Sequence, residues 1–266
     1  MEVTYTTLIP VQITYWMEAN EQREHHDLRS LRVVGAAAQK VRPELVEWCL
    51  TELGVDMVNH FDMAEGPMIC NRWNSPKEPQ MNTIGFAMFF EPEVQIKIFN
   101  DKNEEVKIGE IGEMVAKGPL NLRGYFRNPE ENRKAFDERG FFHSGDIMSR
   151  RQDGRLVVEG RKKDMVIRGE ENVYPEPVED LLMMHPKVMN TAVVGMADHK
   201  LGERLCAFIQ PKEGESVTFD EVQQYMKEQG IAVFQWPERV EVIGGWPLTT
   251  HGVRRARHSS LPGRER

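Results

Sequence analysis

At 266 residues, with 40% hydrophobic and 29% charged side chains, the chain has the composition of a soluble globular protein and the length for one large core or two smaller ones. A formal net charge of −8 excludes broad electrostatic binding to nucleic acid, which needs a basic face to displace counterions. Three scattered cysteines (Cys49, Cys70, Cys206) exclude a disulfide framework, the histidines lack zinc-site spacing, and no apolar run is long enough to span a membrane, so a cytoplasmic protein is expected.

Val3 to Ile9 reads as an extended entry stopped by Pro10, and Val11 to Asn20 as a helix with Ile13, Trp16 and Met17 on its apolar face. Leu31 to Val34 is a short buried-type strand running into Gly35-Ala36-Ala37. Such small side chains either let another group approach the backbone or make a tight turn from strand to helix. Pro43 suits a helix start, and Leu45, Val46, Trp48, Cys49, Leu50 and Leu53 give that helix a buried face ending at Gly54. Val55 to Phe61 is the next strand. Strand, helix, strand predicts a parallel α/β layer, whose ligands bind beyond the carboxyl ends of the strands. Gly35-Ala36-Ala37 and Phe61-Asp62-Met63-Ala64-Glu65-Gly66 both fall at those ends.

From Ile84 the texture is β, with Val94, Ile96 and Ile98 alternating with polar neighbours, and Met114 to Ala116 and Leu156 to Val158 as further strands. Asn128 to Phe136 is a short helix whose first turn carries Glu130 and Glu131, favourable against the helix dipole. After Asp164 come a strand at Met165 to Ile167, a helix near Pro175 to His185, strands near Met189 to Met196 and Leu205 to Gln210, and a helix near Phe219 to Gln229. The expected fold is α/β followed by α+β. The boundary is placed at Lys163-Asp164, giving domains 1–163 and 164–266. The arginines gathered from Arg254 to Arg266 read as a solvated end.

The run Gly124-Tyr125-Phe126-Arg127-Asn128-Pro129-Glu130, then Ser144-Gly145-Asp146, Asp153-Gly154-Arg155-Leu156, Gly160-Arg161-Lys162-Lys163-Asp164 and Asn172-Val173-Tyr174-Pro175 resembles the adenylate-forming ligases in order and spacing. That family includes acyl-CoA synthetases and the adenylation domains of peptide synthetases. Phe61-x-Met63-Ala64-Glu65-Gly66, Asn82-Thr83 and Gly202-Glu203-Arg204 look most like its aryl-acid branch, of the 2,3-dihydroxybenzoate–AMP ligase type. The resemblance implies the end of a large AMP-binding domain followed by the small C-terminal domain. It also implies ATP-dependent, magnesium-assisted conversion of a carboxylic acid to an acyl-adenylate. Passage of the acyl group to a thiol, on coenzyme A or on a carrier protein's phosphopantetheine arm, would follow.

Taken alone, Asp146 reads as a turn aspartate; the resemblance makes it the carboxylate that accepts both ribose hydroxyls of the nucleotide. By the same resemblance Arg161 reaches ribose and phosphate, and Asp164 is the hinge of the small domain. Glu65 helps to hold magnesium. Phe61 lies on the adenine, Gly35, Ala36 and Ala37 admit adenine and acid closely, and Gly169-Glu170 lines the path of the thiol arm.

Departures from the family pattern qualify this. The Ser/Thr/Gly-rich phosphate loop ending in lysine has no equivalent here, so roughly the N-terminal half of such an enzyme is expected to be missing. Val253 follows Gly252 where a catalytic lysine is usual, and loss of such an electrostatic donor costs about 10²–10³ in rate. Arg254 is a poor replacement in register and shape. Asp62 and Glu170 stand where glycines are usual, and Pro177 replaces a glutamate. These 266 residues alone are therefore expected to adenylate little, a quantity that carboxylate-dependent pyrophosphate exchange reads. The alternative expectation is a non-catalytic nucleotide-binding or interaction fragment that complements a separate N-terminal half.

Overall fold

The computed structural model describes residues 2–19, 25–37, 41–87 and 94–246. The chain divides into two compact units, Met1–Val158 and Glu159–Arg266.

The first unit opens with three parallel strands, β1 (Tyr5–Leu8), β2 (Val33–Ala36) and β3 (Asp56–Phe61), with Thr7 opposite Gly35 and Gly35 opposite Val58. All four residues of β2 are buried, as a strand covered on both faces requires. Helices α1 (Pro10–Glu18) and α2 (Pro43–Thr51) are the crossovers, each begun by a proline whose missing N–H costs nothing in the first turn. Their buried Ile13, Leu45, Val46, Trp48 and Cys49 form one core with Val34, Ala36 and Met57 from the strands. Each such large apolar side chain stabilises the layer by about 1.5–3 kcal/mol. Short strands β4 (Ile69–Cys70), antiparallel to β3, and β5 (Phe86–Ala87), antiparallel to β4, extend the sheet, with helix α3 (Lys77–Asn82) between them in sequence.

A second sheet has the order β6 (Gln95–Phe99), β7 (Ile111–Lys117), β8 (Phe142–Arg150), β9 (Leu156–Arg161). Ile96, Ile98, Met114, Met148 and Leu156 are buried together with Ile69 and Ile84. Helix α4 (Pro129–Ala135) is capped by Asn128, whose side chain accepts the Glu131 N–H at 3.2 Å. Strand β8 has no counterpart among the expected elements. Its centre, Ser144-Gly145-Asp146, carries none of the β-branched alternation by which strands are read.

The second unit is built on a hairpin of two long strands, β12 (Val188–Asp198) and β13 (Gly202–Pro211). Strands β10 (Val166–Arg168), β11 (Glu171–Val173) and β14 (Arg239–Val242) complete the sheet, in the order β11-β10-β13-β12 with β14 parallel to β13. Helices α5 (Pro175–Met183) and α6 (Phe219–Glu228) close over it, burying Val178, Leu182, Val222 and Met226 with Val166, Val193, Leu205 and Ile209. Thr218 and Glu221 satisfy each other's backbone N–H groups at the start of α6.

Candidate functional site

Glu113 to Val115 in β7 faces far more chain in β8. Glu113 pairs with Ile147, and Val115 pairs with His143, so Met114 alone stands opposite Ser144, Gly145 and Asp146. This is a bulge with two extra residues, a device that bends a strand and re-aims the side chains in it. Gly145 has φ +72, in the left-handed region that glycine enters without strain. The groups freed from the ladder find local partners. Ser144 Oγ donates to the Met114 carbonyl at 2.7 Å and accepts the Asp146 N–H at 3.0 Å, and Gly145 N–H donates to Glu113 Oε1 at 3.0 Å.

Asp146 is thus a strand residue held by a bulge, correcting its reading as a turn aspartate. Only 3% of it is exposed, so a ribose that reached its carboxylate would replace the interactions that now enclose it. An added Cβ at Gly145 would meet nothing within 4 Å. Gly145→Ala is therefore expected to cost stability through backbone strain alone, about 1–2 kcal/mol in denaturant unfolding; no loss would show that the bulge relaxes freely.

At the carboxyl end of the parallel strands, Glu65 follows β3 in a turn fixed to another loop. The Glu65 carbonyl accepts the Leu122 N–H at 3.0 Å and the Asn121 side-chain amide at 3.4 Å, and Tyr125 Oη donates to Glu65 Oε1 at 3.3 Å. Burial first, then the Glu65 charge and this hydrogen bond, raise the Tyr125 pKa, which keeps the phenol a donor. The backbone around Tyr125 is held in turn by Asn132, which accepts its N–H at 2.6 Å and donates to its carbonyl at 3.0 Å. Tyr125 belongs to the run that carried the resemblance, yet its link to Glu65 spans sixty residues of sequence and only folding makes it visible.

The other expected residues are placed as follows. Phe61, half-buried at the end of β3, packs with Met63 against the core of the second sheet. Gly35 and Ala36 lie inside β2, and Ala37 just beyond it, so no turn explains Gly35. The Tyr5 hydroxyl meets His60 Nε2 at 2.8 Å directly above Gly35, where any side chain would collide with both. Burial depresses the His60 pKa, against the pull of Asp62. Arg161 is the last residue of β9, and Asp164 closes a 3₁₀ turn, Lys162–Asp164.

Gly169-Glu170 is the two-residue loop between β10 and β11, with Arg168 opposite Glu171. Gly169 has φ +66, and Glu170 is not among the described non-glycine residues at positive φ. That is a type II′ turn, which needs glycine at its first central position only, so a glutamate at the second brings no strain. Residues singled out as markers of the aryl-acid branch have structural work. Thr83 and Asn71 are buried and bond each other through the Thr83 hydroxyl, at 3.1 Å. Glu203 accepts the Ile167 N–H at 2.9 Å, and Arg204 pairs with Asp198. Gly252, Val253 and Arg254 lie outside the described residues.

No group of three or more histidine, cysteine or acidic side chains poised to hold a metal occurs among the described residues. Glu65 is a single hard oxygen donor, which suits an ion arriving with its own phosphate ligands better than a standing protein site.

Two family models match the chain: the AMP-binding enzyme over residues 1–126 and the AMP-binding enzyme C-terminal domain over residues 177–252. Pyochelin synthase PchD of Pseudomonas aeruginosa is 38% identical over 250 residues, covering 94% of this chain and 45% of that protein. The 2,3-dihydroxybenzoate-AMP ligase of Bacillus subtilis is 38% identical over 251 residues, covering 94% and 46%. Among solved structures, ATP-bound MatB from Rhodopseudomonas palustris superposes with a TM-score of 0.85 at 25% identity, over 95% of this chain and 49% of that one. The chain spans about half the length of the curated relatives it matches.

Proposed function

For a chain that belongs to the AMP-binding, adenylate-forming enzyme family, we propose a part in the ATP-dependent activation of a carboxylic acid, an aryl acid by its relatives. In that reaction a carboxylate oxygen attacks the α-phosphorus of ATP, the bond to pyrophosphate breaks, and an acyl-adenylate forms. A thiol of coenzyme A or of a carrier protein then displaces AMP. The observation that carries the reading is the bulge that sets Asp146 into β8.

In this reading Asp146 accepts the two ribose hydroxyls, and Phe61, Gly35, Ala36 and Ala37 border the adenine and the acid. Glu65, steadied by Tyr125, supplies one oxygen to the magnesium of Mg-ATP, and the metal, when bound, neutralises phosphate charge. Arg161 adds a positive charge toward the ribose and α-phosphate. Asp164, in a short 3₁₀ turn with exposed Lys162 and Lys163 beside it, is the hinge about which the small domain reorients. Gly169-Glu170 borders the thiol arm.

Calorimetry of the 266-residue chain with AMP and with ATP tests this. Saturable binding of both at one site is expected, and binding of neither would remove the ribose-site reading. A second reading is favoured by a groove of about 370 Å³ lined by Tyr5, Val33, Val58 and Trp73, at whose rim Tyr5 and Trp73 are exposed. There the chain would serve as an interaction fragment, and sedimentation of the chain with and without an added N-terminal half of such a ligase separates the two.

A further inference from the structure

Glu113 is almost buried, 9% exposed, in the middle of the first unit's second sheet. A carboxylate in that position is costly unless its oxygens accept hydrogen bonds. It meets one partner in the bulge and one beside it. Glu113 Oε1 takes the Gly145 N–H at 3.0 Å, and Oε2 stands 3.1 Å from His143 Nδ1, where an ionised carboxylate can only accept. The residues it grips, His143 and Gly145, flank Ser144, and Gly145 directly precedes Asp146. Gly145 sits at positive φ with no side-chain packing to fix it, so its orientation depends on what binds its N–H.

We propose that Glu113 is a positioning residue for nucleotide binding: it holds the Ser144-Gly145-Asp146 bulge at its flank, His143, and at its middle residue, Gly145, and thereby sets the direction of the Asp146 carboxylate. This deepens the reading of Asp146 as the ribose contact and rests on it. Glu113 itself touches no substrate. Its two bonds are charge-assisted and shielded from water, the conditions under which such bonds are strongest.

The test uses the full 266-residue chain, with amide exchange at Gly145 followed by NMR and AMP affinity followed by calorimetry. Glu113→Ala is expected to speed Gly145 exchange at least about tenfold and to weaken AMP binding about tenfold, the scale of one lost charge-assisted hydrogen bond. Glu113→Gln keeps an oxygen for Gly145 and is expected to return both quantities to within about threefold of the unmodified chain. Glu113→Asp keeps the charge but draws the oxygens back by a methylene, and is expected to behave like the alanine variant; it carries the test if the alanine variant does not fold. Unchanged Gly145 exchange in these variants overturns the clamp. Faster exchange with unchanged AMP affinity overturns the positioning role. Absence of AMP binding by the unmodified chain overturns the nucleotide reading and the positioning role with it, while Gly145 exchange alone still decides the clamp.

Discussion

On the proposed ribose contact, Asp146→Ala is expected to weaken AMP binding about a hundredfold, because a charged acceptor for two hydroxyls would be lost with two hydrogen bonds of about 1.5 kcal/mol or more each. Asp146→Asn keeps the shape and one acceptor oxygen, and its loss is expected to fall between the alanine variant and the unmodified chain. Calorimetric titration with AMP checks both, with adenine as a ligand that lacks the ribose. Adenine affinity is expected to be the same in all three proteins. Equal AMP affinity in Asp146→Ala and the unmodified chain would sink the ribose assignment. A thermal melt accompanies each titration, because Asp146 is buried and its replacement also alters the interactions that enclose it.

The second large effect concerns stability. Leu205 lies wholly buried in β13, at the centre of the core shared by Val166, Leu182 and Val193. Its backbone is tied to Glu238, which donates to the Leu205 carbonyl at 2.9 Å and accepts the Leu205 N–H at 3.2 Å. The same carboxylate holds Arg168 of β10 at 2.6 Å, so packing and polar contacts converge on one point of the sheet. With these partners fixed, the site cannot collapse around a smaller side chain. Leu205→Ala is expected to cost the second unit about 3–4 kcal/mol, by lost burial and a residual cavity. Its melting transition should fall by roughly 12 °C or more, on the scale of a domain of this size. A loss under about 1 kcal/mol would show that Leu205 does not pack as described.

Periodicity located most elements because burial on one face leaves a mark in the residues themselves. Ile13, Trp16 and Met17 placed α1, and the buried face from Leu45 to Cys49 placed α2, since only a helix brings those positions to one side. The parallel layer followed from the order strand, helix, strand. Strand β8 was not legible, because its central residues serve a bulge and carry no alternation of two. Gly35 was ambiguous for a related reason. Its smallness answers to Tyr5 and His60, which are distant in sequence and meet only across the sheet.

The candidate site divides in the same way. Asp146, Glu65, Arg161 and Asp164 could be named because each sits inside a short run of unusual composition, which a resemblance can recognise without any coordinates. Glu113 and Tyr125 could not be given their places, since neither residue carries its partner in neighbouring sequence.

The sequence by itself carried the family resemblance, the order of most elements and the candidate residues Asp146, Glu65 and Arg161, because local spacing and side-chain chemistry are written along the chain. Only the tertiary structure decided that Asp146 rides on a two-residue bulge, that Glu113 grips that bulge, and that Gly169 alone carries the turn before Glu170. Those are matters of pairing register and of backbone angle. Both are set by contacts between strands, and a linear pattern of residue types does not contain them.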